Sequence, residues 1–365
     1  MVLFSIKNNK FIIVFLVVLV SFVVFHSFTW YAFTSQLLDH NNDLMTGDLG
    51  RMSYKLNSLH PRKTESILEK KHFNATNWNN QSVDLITIGD SFSNGSGGGL
   101  NPYYQDYVAT YFNINVLNLH SNTINFNQMD VVISLYNSGW LERTKPKAIL
   151  IEGVERMAKK TFAGAFNWEQ NRFFTNNLLP NPSKNTLYKP SVHFINTGNY
   201  KFYYYQIKEH KNTIQFELNK SLFSVNSFHN QLLVYKDDIK NIIPANDVSV
   251  EKINKNLNKL ASLLKTLDIE LIYMPAVDKY DLYYDFIVNN PYPKNYFFDL
   301  LRAQKKDYTF IDTKKILLEK LKEGERDIFY SDDTHWSYKA NAILVNHTSF
   351  QNLFHTQEKV RHNAN

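Results

Sequence analysis

The chain contains no cysteine. Disulfides, thiolate nucleophiles and cysteine-based zinc sites are therefore excluded, and the redox compartment stays open. Dense runs of Lys and Arg are also missing. The formal charge of +6 is spread over 365 residues, which does not describe a nucleic-acid surface. The twelve histidines are scattered without ligand spacing, so no metal is assigned; no cofactor is expected either. Between Phe11 and Phe33 there is no Lys, Arg, Asp or Glu.

That uncharged stretch is the first positive feature. About 20 apolar residues suffice to cross a bilayer as a helix, so residues 11–33 read as a transmembrane signal-anchor in contact with lipid. Trp30 and Tyr31 suit the far interface. Lys7 and Lys10 precede it, and Asp39, Asp43 and Asp48 follow before the next Lys or Arg. The positive-inside rule then places residues 1–10 in the cytoplasm and the rest outside it. A cleaved signal peptide has a shorter apolar core and a small-x-small site after it, and neither is found here.

Residues 34–80 are polar and irregular and read as a membrane-proximal linker. Their basic patch, His60-Pro61-Arg62-Lys63, faces either solvent, lipid headgroups or an acidic polymer. With 44% hydrophobic residues, the remainder can form one large domain with an insertion. It is expected over residues 81–355, with a short tail at 356–365. Strand-length apolar runs lie at Val83–Ile88, Asn115–Leu119, Ala148–Glu152, Glu270–Met274 and Thr309–Asp312. Helical patterns separate them at Tyr103–Phe112, Asn127–Ser138 and Val250–Leu267, with more at Tyr296–Gln304, Lys314–Lys322 and Tyr338–Phe350. Such alternation predicts a three-layer α/β fold with a parallel sheet. Residues 159–244 break the rhythm and read as an insertion near the mouth of the sheet. Its aromatic run Phe202-Tyr203-Tyr204-Tyr205 either packs onto the core or offers rings that stack on sugars.

The chain is organised around Val83–Gly99. A buried strand there ends in Gly89-Asp90-Ser91 and a glycine-rich turn, which exposes a serine at the sheet's C-terminal edge. A hydroxyl needs a base to become a nucleophile. Ser331-Asp332-Asp333-Thr334-His335-Trp336 supplies a candidate late in the chain. In an extended D-x-H segment both side chains point to one side. Asp333 can then hold one imidazole nitrogen while the other faces Ser91, the logic of a Ser-His-Asp triad. Asp332 is the alternative acid through a D-x-x-H turn, and the unused aspartate is expected to cap the following helix.

G-D-S-F-S with a late Asp/His pair resembles the SGNH-hydrolase superfamily. Together with Thr46-Gly47-Asp48-Leu49, Pro146–Arg156, Met274–Tyr283 and the D-T-H-W of Asp333–Trp336, it resembles the alginate O-acetyltransferase-type branch, which modifies exported polysaccharides. The resemblance implies a flavodoxin-like fold, with Ser91 as nucleophile, His335 as base and Asp333 as its orienting acid. It also implies a polysaccharide acceptor and a membrane-embedded acyltransferase as acyl donor. Two family features are replaced. Asn122, in Val116–Asn122, stands where the second block carries an oxyanion-binding glycine. Glu155-Arg156 stands where the third block carries asparagine. Asn122, Arg156 and Trp336 are the oxyanion or substrate-binding candidates; Arg156 is alternatively an ion-paired structural arginine, Trp336 alternatively packs beneath His335, and Lys279 and Tyr283 border the site or support a loop. The expected function is extracytoplasmic O-acetyl transfer to polysaccharide hydroxyls. An esterase with the same triad and a non-catalytic polysaccharide-binding scaffold are the alternatives.

Overall fold

The computed structural model describes residues 10–38, 46–55, 62, 66–120, 127–171, 197–224 and 230–354. Its centre is a six-stranded sheet. In chain order the strands are β1 (Phe73–Asn74), β2 (Leu85–Gly89), β3 (Val116–His120) and β4 (Ala148–Val154); β5 (Thr213–Glu217) and β6 (Gln231–Tyr235) pair separately as an antiparallel hairpin, and β7 (Glu270–Ala276) and β8 (Thr309–Phe310) complete the sheet. The sheet order is β1-β3-β2-β4-β7-β8, and every pairing in it is parallel. β2 and β4 are buried along their whole length, as strands covered on both faces must be.

The helices form two groups. Helix Tyr104–Tyr111 packs on Tyr338–Asn346, which packs on Thr313–Lys322. Helix Ser249–Lys265 packs on Gln128–Asn137, Ala158–Phe162 and Phe297–Ala303. Chain direction explains the split. β2 to β3 moves one way along the sheet and β3 to β4 moves back, so right-handed crossovers put their helices on opposite faces. Ile253, Leu257, Leu260 and Leu264 of Ser249–Lys265 are all fully buried, each contributing about 1.5–3 kcal/mol of burial. Asn127, Asp312 and Ser337 cap three of these helices through their side chains, each satisfying an orphan N–H.

Two expectations are corrected. Within the membrane-proximal linker 34–80, the described residues pack on the domain instead of standing clear of it. Asp48–Ser53 forms a short helix, Leu68 joins the core, and Phe73–Asn74 adds an edge strand to the sheet. Arg62, expected at a surface, is fully buried; the rest of its basic patch lies outside the described residues. The insertion also has structure of its own, in the β5–β6 hairpin and a helix at Thr197–Ile207. Of its aromatics, Phe162, Phe216 and Phe223 join the core, as one of the two readings expected, whereas the run Phe202–Tyr205 does not. Phe202 stacks on Phe33 and Tyr203 on Phe25 of the N-terminal helix.

That N-terminal helix, Lys10–Thr29 continued by a π-turn at Trp30–Thr34, is long and apolar enough to cross a membrane.

Candidate functional site

All sheet strands run parallel, so their C-terminal ends share one edge. Asp90-Ser91 follows β2, Glu155-Arg156 follows β4, and Asp278-Lys279 lies just past β7. β2 is the strand whose successors, β3 and β4, lie on its two sides, so Ser91 sits at the topological switch point where open α/β sheets bind their ligands.

The turn after β2 is held from below. Glu152, fully buried at the end of β4, accepts from Asp90 N (3.0 Å), Ser93 N (3.2 Å) and Ser93 Oγ (2.8 Å). The Gln105 and Asn118 amides donate to Ser93 O at 3.0 and 2.9 Å. Asp90 accepts from Phe92 N and Val154 N. A Cβ at Gly89 would collide with Ser93 Oγ and Glu152, so only glycine permits this approach. Burial, then the charge of Asp90, pushes the Glu152 carboxyl well above its usual range.

Above this turn, Ser91 Oγ lies 2.8 Å from His335 Nε2, and His335 Nδ1 lies 2.7 Å from Asp333 Oδ1. The same Asp333 oxygen accepts from His335 N at 3.0 Å. Asp333 is therefore the aspartate at the imidazole. Asp332 is not: it accepts from Gly47 N at 2.6 Å and from Arg62 Nη2 at 3.1 Å. Nor does Asp332 cap the next helix, since Ser337 does.

Arg62 Nη1 donates to the second oxygen of Asp333 at 3.1 Å, and the guanidinium stacks 3.9 Å from the Tyr330 ring centroid. Burial alone would raise the Asp333 pKa; Arg62, then His335, overcome it and hold the carboxyl far below its usual range. Burial pulls the His335 pKa down, while the bond and charge of Asp333, with Asp48 adding, more than reverse it. Lys279, held down to about 8 by burial, donates to the carbonyls of Tyr330, Ser331 and Asp333 at 2.7–3.0 Å. It supports the loop from beneath.

Asp48 is the residue the sequence reading did not place. Its Oδ1 accepts from Thr334 N at 2.7 Å, its Oδ2 from Thr334 Oγ1, and Oδ2 stands 3.8 Å from His335 Nδ1. Two carboxylates thus face one imidazole. Burial, then Asp333, pushes Asp48 up to about 6; its side chain keeps 29% exposure, which limits how far desolvation can act. Asp48, Asp333 and His335 stand close enough together to share an ion; the Nδ1 bond to Asp333 makes them read first as a hydrogen-bonded relay. The only sequence signal was Thr46-Gly47-Asp48-Leu49, where a Cβ at Gly47 would collide with Asp332 O.

Of the remaining candidates, Arg156 reaches the site edge. It is gripped by Asp278 at 2.5 Å and Asp238 at 3.4 Å, keeps 12% side-chain exposure, and its charge opposes protonation of His335. Trp336 packs, as one reading expected: it is buried edge-on to Phe92, which in turn packs against His335. Asn122 lies outside the described residues. Tyr283 is buried against Phe223 and accepts from Phe329 N, a loop support.

The arrangement can take a proton from a half-buried hydroxyl and hand it on. Comparison with models of known protein families, and with curated proteins, finds no match to this chain.

Proposed function

We propose that this protein is a membrane-anchored, extracytoplasmic O-acyltransferase, acting with an acetyl group on hydroxyls of an exported or cell-surface polysaccharide. The observation that carries the chemistry is the Ser91 Oγ–His335 Nε2–Asp333 relay, at 2.8 and 2.7 Å. The order β3-β2-β4-β7-β8 matches the flavodoxin-like order 2-1-3-4-5, and with the G-D-S-F and D-T-H-W stretches it supports the SGNH reading.

In this reading Ser91 Oγ attacks the acyl carbonyl while His335 Nε2 takes the hydroxyl proton. The tetrahedral oxyanion rests on Ser91 N–H, with Arg156 at the site edge. Donors of this kind contribute about 3–4 kcal/mol each to the barrier. Collapse breaks the bond to the donor's leaving oxygen, which receives the proton from His335. A sugar hydroxyl then attacks the acyl-serine, giving its proton to His335, and Ser91 Oγ recovers a proton as it leaves. Asp333 keeps the imidazole in the tautomer that needs Nε2 free, and stabilises the imidazolium.

The choice of transferase rests on topology. The positive-inside rule puts the serine outside the cytoplasm, where acetyl-CoA is not expected, so the acyl group must come from a membrane-embedded partner. The test is mass spectrometry of surface polysaccharide from cells carrying Ser91→Ala. Acetylation should be lost, the enzyme's rate falling roughly 10⁴-fold or more. Unchanged acetylation would sink the reading in favour of a scaffold. The ratio of acetyl transfer to hydrolysis, with a chromogenic acetyl ester and oligosaccharide acceptors, separates transferase from esterase.

A further inference from the structure

The insertion helix Thr197–Ile207 is absorbed neither by the sheet nor by the triad, yet it touches both the N-terminal helix and the strap that carries Asp48. Toward the N-terminal helix, Phe202 stacks on Phe33 (5.4 Å between centroids), Tyr203 on Phe25 (5.8 Å), and Tyr200 lies against His26 (5.7 Å). Asn199, fully buried, donates its amide to His26 O at 2.8 Å. Toward the strap, Tyr205 stacks on Tyr54 (5.7 Å) and Gln206 donates to Tyr54 O at 3.2 Å. The strap is in turn bonded to the His335 loop through Gly47, Asp48 and Gly50.

A third edge faces outward. Tyr200, Tyr204 and Ile207 are 47%, 58% and 85% exposed, and the spacing i, i+4, i+7 places them on one side of the helix. The depth of that edge follows from helix geometry. At 1.5 Å per residue, a hydrocarbon layer of about 30 Å is crossed in about 20 residues from Lys10. Phe25 then lies about 8 Å inside the far boundary of the apolar layer and Phe33 about 5 Å beyond it, so the two bracket that boundary. A helix stacked on Phe25, His26 and Phe33 must lie at that boundary too. Tyrosines there keep the ring in the apolar zone and the hydroxyl in the wet one.

We infer that helix Thr197–Ile207 lies in the membrane–water interface at the C-terminal end of the span, with its Tyr200–Tyr204–Ile207 edge against lipid. It clamps the Asp48 strap there, so the Ser91 site works close to the bilayer surface, within reach of a membrane-borne acyl donor. The inference rests on reading Lys10–Thr34 as a span.

The lack of native cysteine makes the test clean. Single-cysteine variants Phe25→Cys, Tyr204→Cys, Ile207→Cys and Lys265→Cys of the full chain are labelled with an environment-sensitive fluorophore. They are then reconstituted in phosphatidylcholine vesicles with or without lipids spin-labelled near the headgroup. Lys265 is exposed near the opposite edge of the sheet and serves as the aqueous reference. Labels at Tyr204 and Ile207 should lose most of their fluorescence to the spin-labelled lipid, as Phe25 does, while Lys265 keeps its own. Quenching at Phe25, with Tyr204 and Ile207 behaving like Lys265, overturns the inference and leaves the span standing. A Phe25 label that escapes quenching overturns the span and the inference together. Either readout is independent of acyl transfer, so it does not hinge on the proposed reaction.

Discussion

Two arginines near the mouth of the sheet each bridge a pair of buried aspartates, with opposite results. Arg62 spans Asp332 and Asp333, and Asp333 stays ionised far below its ordinary range. Arg156 spans Asp238 and Asp278, yet burial pushes Asp238 up to about 6 and Asp278 well above its usual value. Both pairs are buried, so burial does not separate them. How well donors reach each carboxylate does: Asp238 meets Arg156 and Tyr280 N only at 3.4 and 3.5 Å. Asp333 receives Arg62, His335 N and His335 Nδ1, and Asp332 receives Arg62 and Gly47 N. Around Arg156 four carboxyl groups crowd together: Asp238, Asp278, and the neighbouring Glu155 and Asp281. Among the described residues, Asp278 Oδ2 has no hydrogen-bond partner, and Glu155 shares a carboxyl–carboxyl hydrogen bond with Asp281. A buried carboxylate short of donors is favoured in its neutral form. The first region therefore keeps a fixed negative charge behind the imidazole, and the second stores protons.

The largest expected break in this comparison is Arg62→Met. It leaves two buried carboxylates without their cation, which costs about 3–5 kcal/mol. Urea unfolding of the detergent-solubilised full chain checks it. The same change at Arg156 should cost less, because Asp238 and Asp278 can take up protons instead. A loss under about 1 kcal/mol at Arg62, as for a surface pair, would show that the fixed charge is not held by the arginine.

What the sequence revealed, and what it hid, divides along a related line. Strands β2, β3, β4 and β7 and the helix Ser249–Lys265 announce themselves through period, because their burial is local to one element. Asp333 and His335 are two positions apart, so their shared side follows from strand geometry alone. Arg62 carries no such mark. An arginine in a polar stretch looks the same whether it faces water or aspartates 270 positions away. Phe73–Asn74 is too short to show alternation. Glu152 sits within an apolar run with no signal beyond its own charge. The aromatics Phe202 and Tyr203 pack against a helix that is apolar all round, so nothing in either pattern names the partner face.

A smaller effect tests the proton-storing region. Burial raises the pKa of the folded Asp238 from its ordinary 3.8 to about 6. Between those values the native state binds more protons than the unfolded chain, so stability falls as pH rises through that window. In Asp238→Asn that contribution is gone. The stability profile between about pH 4 and pH 6 should flatten by something on the order of 1 kcal/mol relative to wild type. Parallel unfolding profiles across that range would place the stored protons elsewhere.

The finest test concerns Asp48, which sits in the first region but behaves like a member of the second. It faces His335 Nδ1 from 3.8 Å, is pushed up to about 6, and when ionised helps to raise the His335 pKa. In the proposed reaction His335 serves as base only when neutral, so activity should rise as pH climbs past its raised value. Asp48→Asn keeps an oxygen for Thr334 but removes the charge. The acid limb of the kcat/KM profile, measured with a soluble chromogenic acetyl ester, should then move to lower pH, with little loss at the plateau. Asp48→Ala removes the Thr334 bonds as well, and should lower the plateau in addition to moving the limb. An acid limb that stays in place in Asp48→Asn would mean that Asp333, fixed by Arg62, sets the basicity of His335 alone, and that Asp48 only anchors the strap to the loop.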